Sequence, residues 1–397
     1  MSLAPQTHTA DMRHPDIHPR LHTPLCDLVG IEVPIVQTGM GWVAGARLVS
    51  ATAEAGALGI LASATMDLDE LRTAIAAVKS RTSRPFGVNL RADAADVDAR
   101  LDLLMAEGVK VASFAQAPRR ELIARLKDAG VVVIPSVGAR RHAEKVLDWG
   151  VDAILVQGGE GGGHTGSVPT TLLLPQVVDA VGGRVPVIAA GGFFDGRGLV
   201  AALAYGADGI AMGTRFLLTS DSSVPDSVKT YYLGKTVTDT VVSKQVDGVP
   251  HRVLRTDLVN TLESTGGRLW ALPRAGLNAL RFRAMTGVKL RDMMREGRAM
   301  RASMDLTWTQ TLMAANTPML LKASLVDGNT DSGVMASGQV VGVIDDLPTC
   351  GDLVDRIVAE AGATLEQLNA THAPHIQEAR LQEARLQETR PQETGNA

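Results

Sequence analysis

Between residues 24 and 219, short apolar runs rich in β-branched residues alternate with longer stretches of helical spacing. The runs cover 33–36, 58–61, 86–90, 109–114, 131–134, 153–156, 185–189 and 209–212. Their starts step by 22 to 32 residues, enough in each case for a right-handed crossover through a helix to a parallel neighbour. Runs this short, apolar on both faces and separated by helices, suit a parallel sheet buried on both sides. Eight in succession predict an α/β fold, a (β/α)8 barrel. Local signals agree. Asp67, Asp69 and Glu70 place carboxylates in the first turn of a helix running to Lys79, and the stretch 119–130 ends on Gly130, as helices commonly do. An open doubly wound sheet is the rival. It calls for one dominant Gly-rich turn after the first strand and an acidic residue about 20 residues on, whereas this chain places small-residue loops after several strands.

Composition narrows the class. Of 397 residues, 45% are hydrophobic but only 3% aromatic, so the core is built from Val, Ile, Leu, Ala and Met. That favours parallel strands under helices over a sandwich. Two cysteines, Cys26 and Cys350, exclude a disulfide framework. With no apolar export signal at the start and no uncharged apolar run of about 18 residues, the expectation is a cytoplasmic protein with no membrane partner. A formal net charge of −4 gives no global field for nucleic acid.

The expected division is a flexible leader over 1–22, a barrel over 23–219 and 346–370, a smaller and mainly helical cap over 220–345 inserted after strand eight, and a disordered tail over 371–397. The leader holds four of the nine histidines (His8, His14, His18, His22) among prolines, at spacings that fit no metal-ligand pattern. The tail repeats a five-residue Gln-Glu-Ala-Arg-Leu-like unit with too few apolar positions to bury a core, and reads as a solvated tail or a fraying helix.

In a barrel the residues just after each strand form the active face. Strand one runs into Gln37-Thr38-Gly39-Met40-Gly41-Trp42, strand three ends at Asn89, strand seven runs into Gly191-Gly192, and strand eight into Gly213-Thr214. One glycine pair is ordinarily a tight turn. Two glycine-bearing ends on neighbouring strands favour a phosphate cradle, with backbone amides and the Thr214 hydroxyl as donors, and hence a phosphate-bearing cofactor.

The loop after strand six is the most specific feature. Five of the six residues from Gly158 to Gly163 are glycine, which lets the backbone approach a flat ligand, and His164 follows directly. An imidazole there can move a proton or donate to charge developing on a substrate oxygen, so His164 is the candidate catalytic residue. Glu160 is either its orienting partner or a solvated carboxylate. No further His or Cys completes a zinc pattern and no nucleophile elbow is present, which weighs against metal sites and hydrolysis.

The segments QTGMGWVAG, QGGEGGGHTG, PVIAAGGFFDGRG and GIAMGTRFLLT resemble the nitronate monooxygenase (2-nitropropane dioxygenase-like) family over about residues 24–370. The resemblance implies an FMN-binding TIM barrel. FMN phosphate would sit at Gly191, Gly192, Gly213 and Thr214, with the ring flanked by Thr38, Gly39 and Met40. Asn89, Gln157 and Gly162 would make polar or close backbone contacts, and His164 would stand near the flavin. NAD(P)H is implied only as a transient electron partner, since no dinucleotide fingerprint is visible. DGVPHRVLRT, LMAANTPMLLKASLVDGNT and ASGQVVGVIDDLPTC are similar to a branch of this family in actinobacterial steroid catabolism, flavin oxidoreductases acting on an alicyclic indene-carboxyl-CoA.

That likeness implies hydride transfer at a ring C=C of a steroid-derived acyl-CoA, with His164 handling the accompanying proton or holding an enolate oxygen. Residues 268–301 carry nine Lys or Arg against Asp292 and Glu296, a local field suited to CoA phosphates or simply a solvated basic helix. Arg291, Arg295 and Asn316 are the substrate-binding candidates, with Thr317, Pro318 and 337–339 as further contacts. The alternatives are oxidation of alkyl nitronates with O2, which needs only a small site, and a non-catalytic flavin or acyl-CoA binder. The sequence leaves the oligomeric state open, a homodimer included.

Overall fold

The computed structural model describes residues 13–246, 248–264, 317–331 and 333–388, the last 18 of these as backbone only. Eight parallel strands close into a barrel: β1 (Ile35–Gln37), β2 (Leu58–Ala62), β3 (Phe86–Leu90), β4 (Val111–Phe114), β5 (Val132–Val137), β6 (Ile154–Gln157), β8 (Val187–Ala190) and β9 (Gly209–Met212). β1 pairs β9 through Ile35 with Ile210 and Gln37 with Met212, so no edge remains. The short strand β7 (Gly163–His164) stands apart from this ring.

Alternation along the strands fixes two cores. Val36, Leu58, Ile60, Val111, Val132, Ile134, Leu155 and Ile188 point inward and form one buried cluster, joined by Leu25, Cys26 and Ile31 from α1 (Pro24–Val29) and the turn after it. Their neighbours Ile35, Leu61, Val88, Ala112, Val133, Ile154 and Ala189 face the helices. The crossover helices are α2 (Ala46–Glu54), α3 (Leu68–Lys79), α4 (Val97–Ala106), α5 (Arg120–Asp128), α6 (Arg140–Leu147), α7 (Thr170–Val181) and α8 (Gly196–Ala204). α3 begins with a capping box, in which Asp67 accepts from the Glu70 N–H and Glu70 accepts from the Asp67 N–H. The C-terminal helix Cys350–Glu388 packs against α8 and α2 and takes the eighth helical place.

Two expectations are corrected. From Arg13 on, the leader is docked: Leu21 is fully buried, Arg13 forks onto Asp355, and the His14 N–H donates to Glu32 at 2.9 Å. Leu21 in the core and Ile17 packed against it are the apolar anchors that the histidines and prolines obscured. The expected disordered tail is helical through Glu388, because Gln, Glu, Ala, Arg and Leu are strong helix formers continuing an existing helix. The described part of the segment after β9 combines helices with strands. It contains α9 (Thr214–Leu217), α10 (Asp226–Leu233), α11 (Asp257–Glu263) and the helix Thr317–Leu325, and also a hairpin of β10 (Thr240–Ser243) and β11 (His251–Leu254). β11 pairs β7, giving a second sheet of order β10-β11-β7. Among the described residues no helix is long and apolar enough to cross a membrane.

Candidate active site

At the C-terminal ends of the strands the inward positions change character. Two residues beyond Val36, Gly87, Val111 and Leu155 stand Thr38, Asn89, Ser113 and Gln157, so the apolar interior is topped by polar side chains. Asn89 Nδ2 donates to Ser113 Oγ at 3.3 Å across a direct strand pair, and Ser63 Oγ donates to the Asn89 carbonyl at 2.6 Å. Buried Arg100 holds the loop behind them, donating to the carbonyls of Ser63 (3.0 Å) and Met66 (2.8 Å). A Cβ on Gly39 would lie 2.4 Å from Asn89 Cβ, so only glycine lets the first loop pass here. Ser113 was missed in the sequence; its signal was a polar residue at an inward position near a strand end.

The glycine-rich loop is fastened at each residue that could fasten it. Glu160 accepts from the Thr170 N–H at 2.9 Å and from its hydroxyl at 2.7 Å, capping α7. It is therefore neither the orienting partner of His164 nor a free solvated carboxylate. Gln157 Nε2 donates to the His164 carbonyl at 2.8 Å and to that of Gly162 at 3.4 Å, which fixes the backbone of the imidazole-bearing residue. Arg252 of β11 reaches the Gly159 carbonyl through Nε (3.1 Å) and Nη2 (2.8 Å). Burial lowers the Arg252 pKa, with Glu160 opposing. Gly162 packs under the return segment: a Cβ there would lie 2.5 Å from the Gly338 nitrogen. The Gln339 N–H in turn donates to the Glu160 carbonyl at 3.0 Å.

On the neighbouring ends, Gly191 and Gly192 have φ of +95° and +89°, a conformation open at little cost only to glycine. Among the described residues nothing accepts from the backbone N–H groups of Gly192, Thr214 and Arg215. The Thr214 hydroxyl accepts from the Gly338 N–H at 2.9 Å, and Gly213 lies against Thr38 and Met40. These free donors fit an anion. The start of α8 does not, because Asp195 and Glu360 already accept from Gly198 and Gly196. The donor set, the polar floor and the glycine-lined approach together fit a planar group bearing a phosphate.

His164 is exposed at the mouth, and its ring lies 4.7 Å centroid to centroid from that of His251, which is 3% exposed. His251 lies in the DGVPHRVLRT stretch, where no local pattern marks it as a site residue. Trp42, beside the first loop, has φ +66°, a strained value for a bulky residue. Its indole N–H donates to the Pro318 carbonyl at 2.9 Å, tying that loop to the segment after β9. The structure thus brings together Thr38, Gly39, Met40, Asn89, Gln157, Gly162, His164, Gly191, Gly192, Gly213 and Thr214. Arg291, Arg295 and Asn316 lie outside the described residues. A depression of about 410 Å³ near Lys79, Arg84 and Lys110 sits at the opposite, N-terminal end of the strands and shares no residue with this set.

The nitronate monooxygenase family model matches residues 22–100 and 94–360. The chain is 65% identical over 352 residues to (3aS,4S,5R,7aS)-5-hydroxy-7a-methyl-1-oxo-octahydro-1H-indene-4-carboxyl-CoA dehydrogenase of Mycobacterium tuberculosis, covering 88% of this chain and 99% of that protein. It is 64% identical over 353 residues to the protein of the same name from Rhodococcus jostii, covering 89% and 99%. Among solved structures, FabK from Thermotoga maritima superposes with a TM-score of 0.73 at 32% identity, over 88% of this chain and 99% of that one. Together with the closed barrel, these matches make the chain an oxidoreductase of the nitronate monooxygenase family.

Proposed function

We propose that the protein is an FMN-dependent dehydrogenase of an alicyclic, steroid-derived acyl-CoA, acting at a ring carbon–carbon bond. The carrying observation is the imidazole of His164 held at the barrel mouth beside a glycine-built anion cradle, in a chain about two-thirds identical to dehydrogenases of such a CoA ester. Gly191, Gly192, Gly213 and Thr214 would hold the FMN phosphate. Thr38, Gly39 and Met40 would flank the ring, with Asn89, Gln157 and Gly162 at its polar edge. Bound flavin supplies a two-electron acceptor for a hydride leaving one ring carbon.

The chain's own task is the proton. Desaturation removes a hydride from one carbon and a proton from its neighbour, and a carbonyl conjugated to that neighbour gathers negative charge as the proton departs. His164 takes the proton or donates to that oxygen, and either role suits an imidazole near neutral pH. In the reverse direction it returns the proton. The glycine loop lets the substrate approach closely, and the basic stretch 268–301 would hold the CoA phosphates.

The family's name favours a second reading, oxidation of alkyl nitronates with O2. One experiment separates the two. The FMN-loaded protein is mixed anaerobically with the hydroxy-methyl-oxo-indene-carboxyl-CoA, with NADH, with NADPH and with an alkyl nitronate, and the flavin absorbance is followed. Bleaching by the CoA ester is the expected result, and bleaching by NADH or NADPH would add a nicotinamide as electron partner. A flavin reduced by nitronate alone would establish the second reading instead.

A further inference from the structure

We propose that His251 is a positioning residue for His164, the first member of a buried row that holds the imidazole at the barrel mouth. The proposal rests on the reading of His164 as the group that handles the proton. β7 is only two residues long, so strand pairing alone leaves the His164 side chain poorly determined. Its backbone is fixed by Gln157 from the barrel side. Its ring meets the second sheet.

In that sheet His164 lies directly opposite His251, and His251 directly opposite Ser243, both in antiparallel register. Residues opposite each other in antiparallel strands place their side chains on the same face, so the three form one row across β7, β11 and β10. Exposure falls along it, from exposed His164 to 3% at His251 and 1% at Ser243. The row ends on α11, where Ser243 Oγ donates to Glu263 Oε1. The two rings, 4.7 Å apart and tilted by 51°, are in contact rather than merely adjacent. Arg252, the next residue, points to the other side of the strand and grips Gly159. One strand thus braces both the glycine loop and the imidazole that follows it. An imidazole wedged behind an exposed imidazole restricts its rotation and biases which ring nitrogen carries the proton. A misplacement of the reacting group by even about 1 Å can cost a hundredfold in rate.

The test uses the full FMN-loaded protein labelled with ¹⁵N-histidine, with the His164 signal assigned by its loss in His164→Ala. The expected wild-type signal is a single tautomer. His251→Phe keeps a ring of similar size but no nitrogen, and is expected to give an averaged His164 signal. It should lower kcat about tenfold or more with KM and flavin content within twofold, and His251→Gln should partly restore kcat. In the His164→Ala background, His251→Phe should change nothing further. An unchanged His164 signal, or an equal loss of kcat with and without His164, overturns the proposal. Should His251→Phe fail to fold, His251→Asn, which removes the ring but keeps a polar side chain, is read in its place and is expected to average the same signal; an unaltered signal there overturns the proposal too. If the wild-type protein proves inert on the CoA ester, the functional reading fails alone, because the tautomer measurement needs no substrate.

Discussion

The Gly338 N–H donates to Thr214 Oγ1 at 2.9 Å, so the end of the last barrel strand and the segment returning from the second sheet share one buried hydrogen bond. The backbone N–H of Thr214 has no acceptor among the described residues, and under the proposed function it would donate to the FMN phosphate. Thr214→Val keeps the shape and removes the acceptor. A buried N–H left without a partner costs about 1–3 kcal/mol. We expect a lower Tm and weaker FMN retention on gel filtration, with Thr214→Ser close to wild type. Equal behaviour of the valine and serine variants would remove the bond from this account.

His164→Ala should keep flavin bound, since its backbone is held by Gln157 and the cradle lies on other strands. Turnover of the CoA ester should fall by about 10²–10⁴, the usual worth of a positioned acid or base. Steady-state rates at matched flavin content check this, and full activity in the variant would take His164 out of the mechanism.

Gly162 and Gly166 offer a paired test of the glycine-rich loop. A Cβ on Gly162 would meet the backbone of Ser337 and Gly338 at 2.5–2.6 Å, whereas one on Gly166 would meet only the Gly138 carbonyl, at 3.8 Å. Backbone cannot rotate aside as a side chain can. Gly162→Ala should therefore destabilise by about 1–3 kcal/mol, as overpacked interiors do, and loosen the return segment. Gly166→Ala should be neutral. Urea denaturation of both variants decides it, and equal midpoints would mean that the segment yields.

Much of this was legible in the chain. All eight barrel strands coincide with apolar runs, because a strand buried on both faces announces itself by composition alone. The glycine-bearing ends and His164 followed, since a barrel places its chemistry after its strands. What was hidden depends on partners distant in sequence. Glu160 reads as a loop carboxylate until Thr170 is seen to begin a helix beneath it. His251 lies in a four-residue strand with no clear alternation, and gains meaning only from pairing with a strand 87 residues earlier. Ser337 and Gly338 look like linker residues, and their role against Gly162 comes from a close approach that no local pattern encodes.

Acid should weaken the anchor between the last strand and the C-terminal helix. Arg215 is 3% exposed and donates to Asp346 at 2.8 Å, and Arg356 donates to the other carboxylate oxygen at 2.6 Å. Burial alone would raise the Asp346 pKa, but the two guanidiniums outweigh it and hold it below the usual carboxylate value. Its contribution to stability is full above about pH 4, where the unfolded carboxylate is also ionised, and is lost as pH falls through the lower folded value. Asp346→Asn leaves Arg215 buried beside a neutral amide. With Asp346 itself 36% exposed, the cost at neutral pH should be about 2 kcal/mol, below that of a fully buried pair. Thermal melts from pH 3 to 7 should show a shallower acid limb in the variant; parallel curves would mean that other carboxylates control the acid response.

The basic stretch supplies the test of substrate class. Nine Lys or Arg between residues 268 and 301, against two acidic residues, concentrate positive charge in a chain whose total is −4, so the remainder is strongly acidic. A nitroalkane anion offers a single charge and gains little from such a field, whereas a CoA ester carries several phosphate charges at one end. Replacing Arg291 and Arg295 together by Gln should raise KM for the CoA ester about tenfold at low ionic strength, at roughly 0.7 kcal/mol for each exposed phosphate contact. The effect should shrink as salt rises and screening shortens the reach of the field. kcat and the rate with an alkyl nitronate should stay unchanged, because neither residue is assigned to the proton or to the flavin. A KM that is unaltered, or a change that is insensitive to salt, would return the stretch to a solvated surface and move the recognition of the acyl-CoA to the polar groups around Trp42 and Pro318.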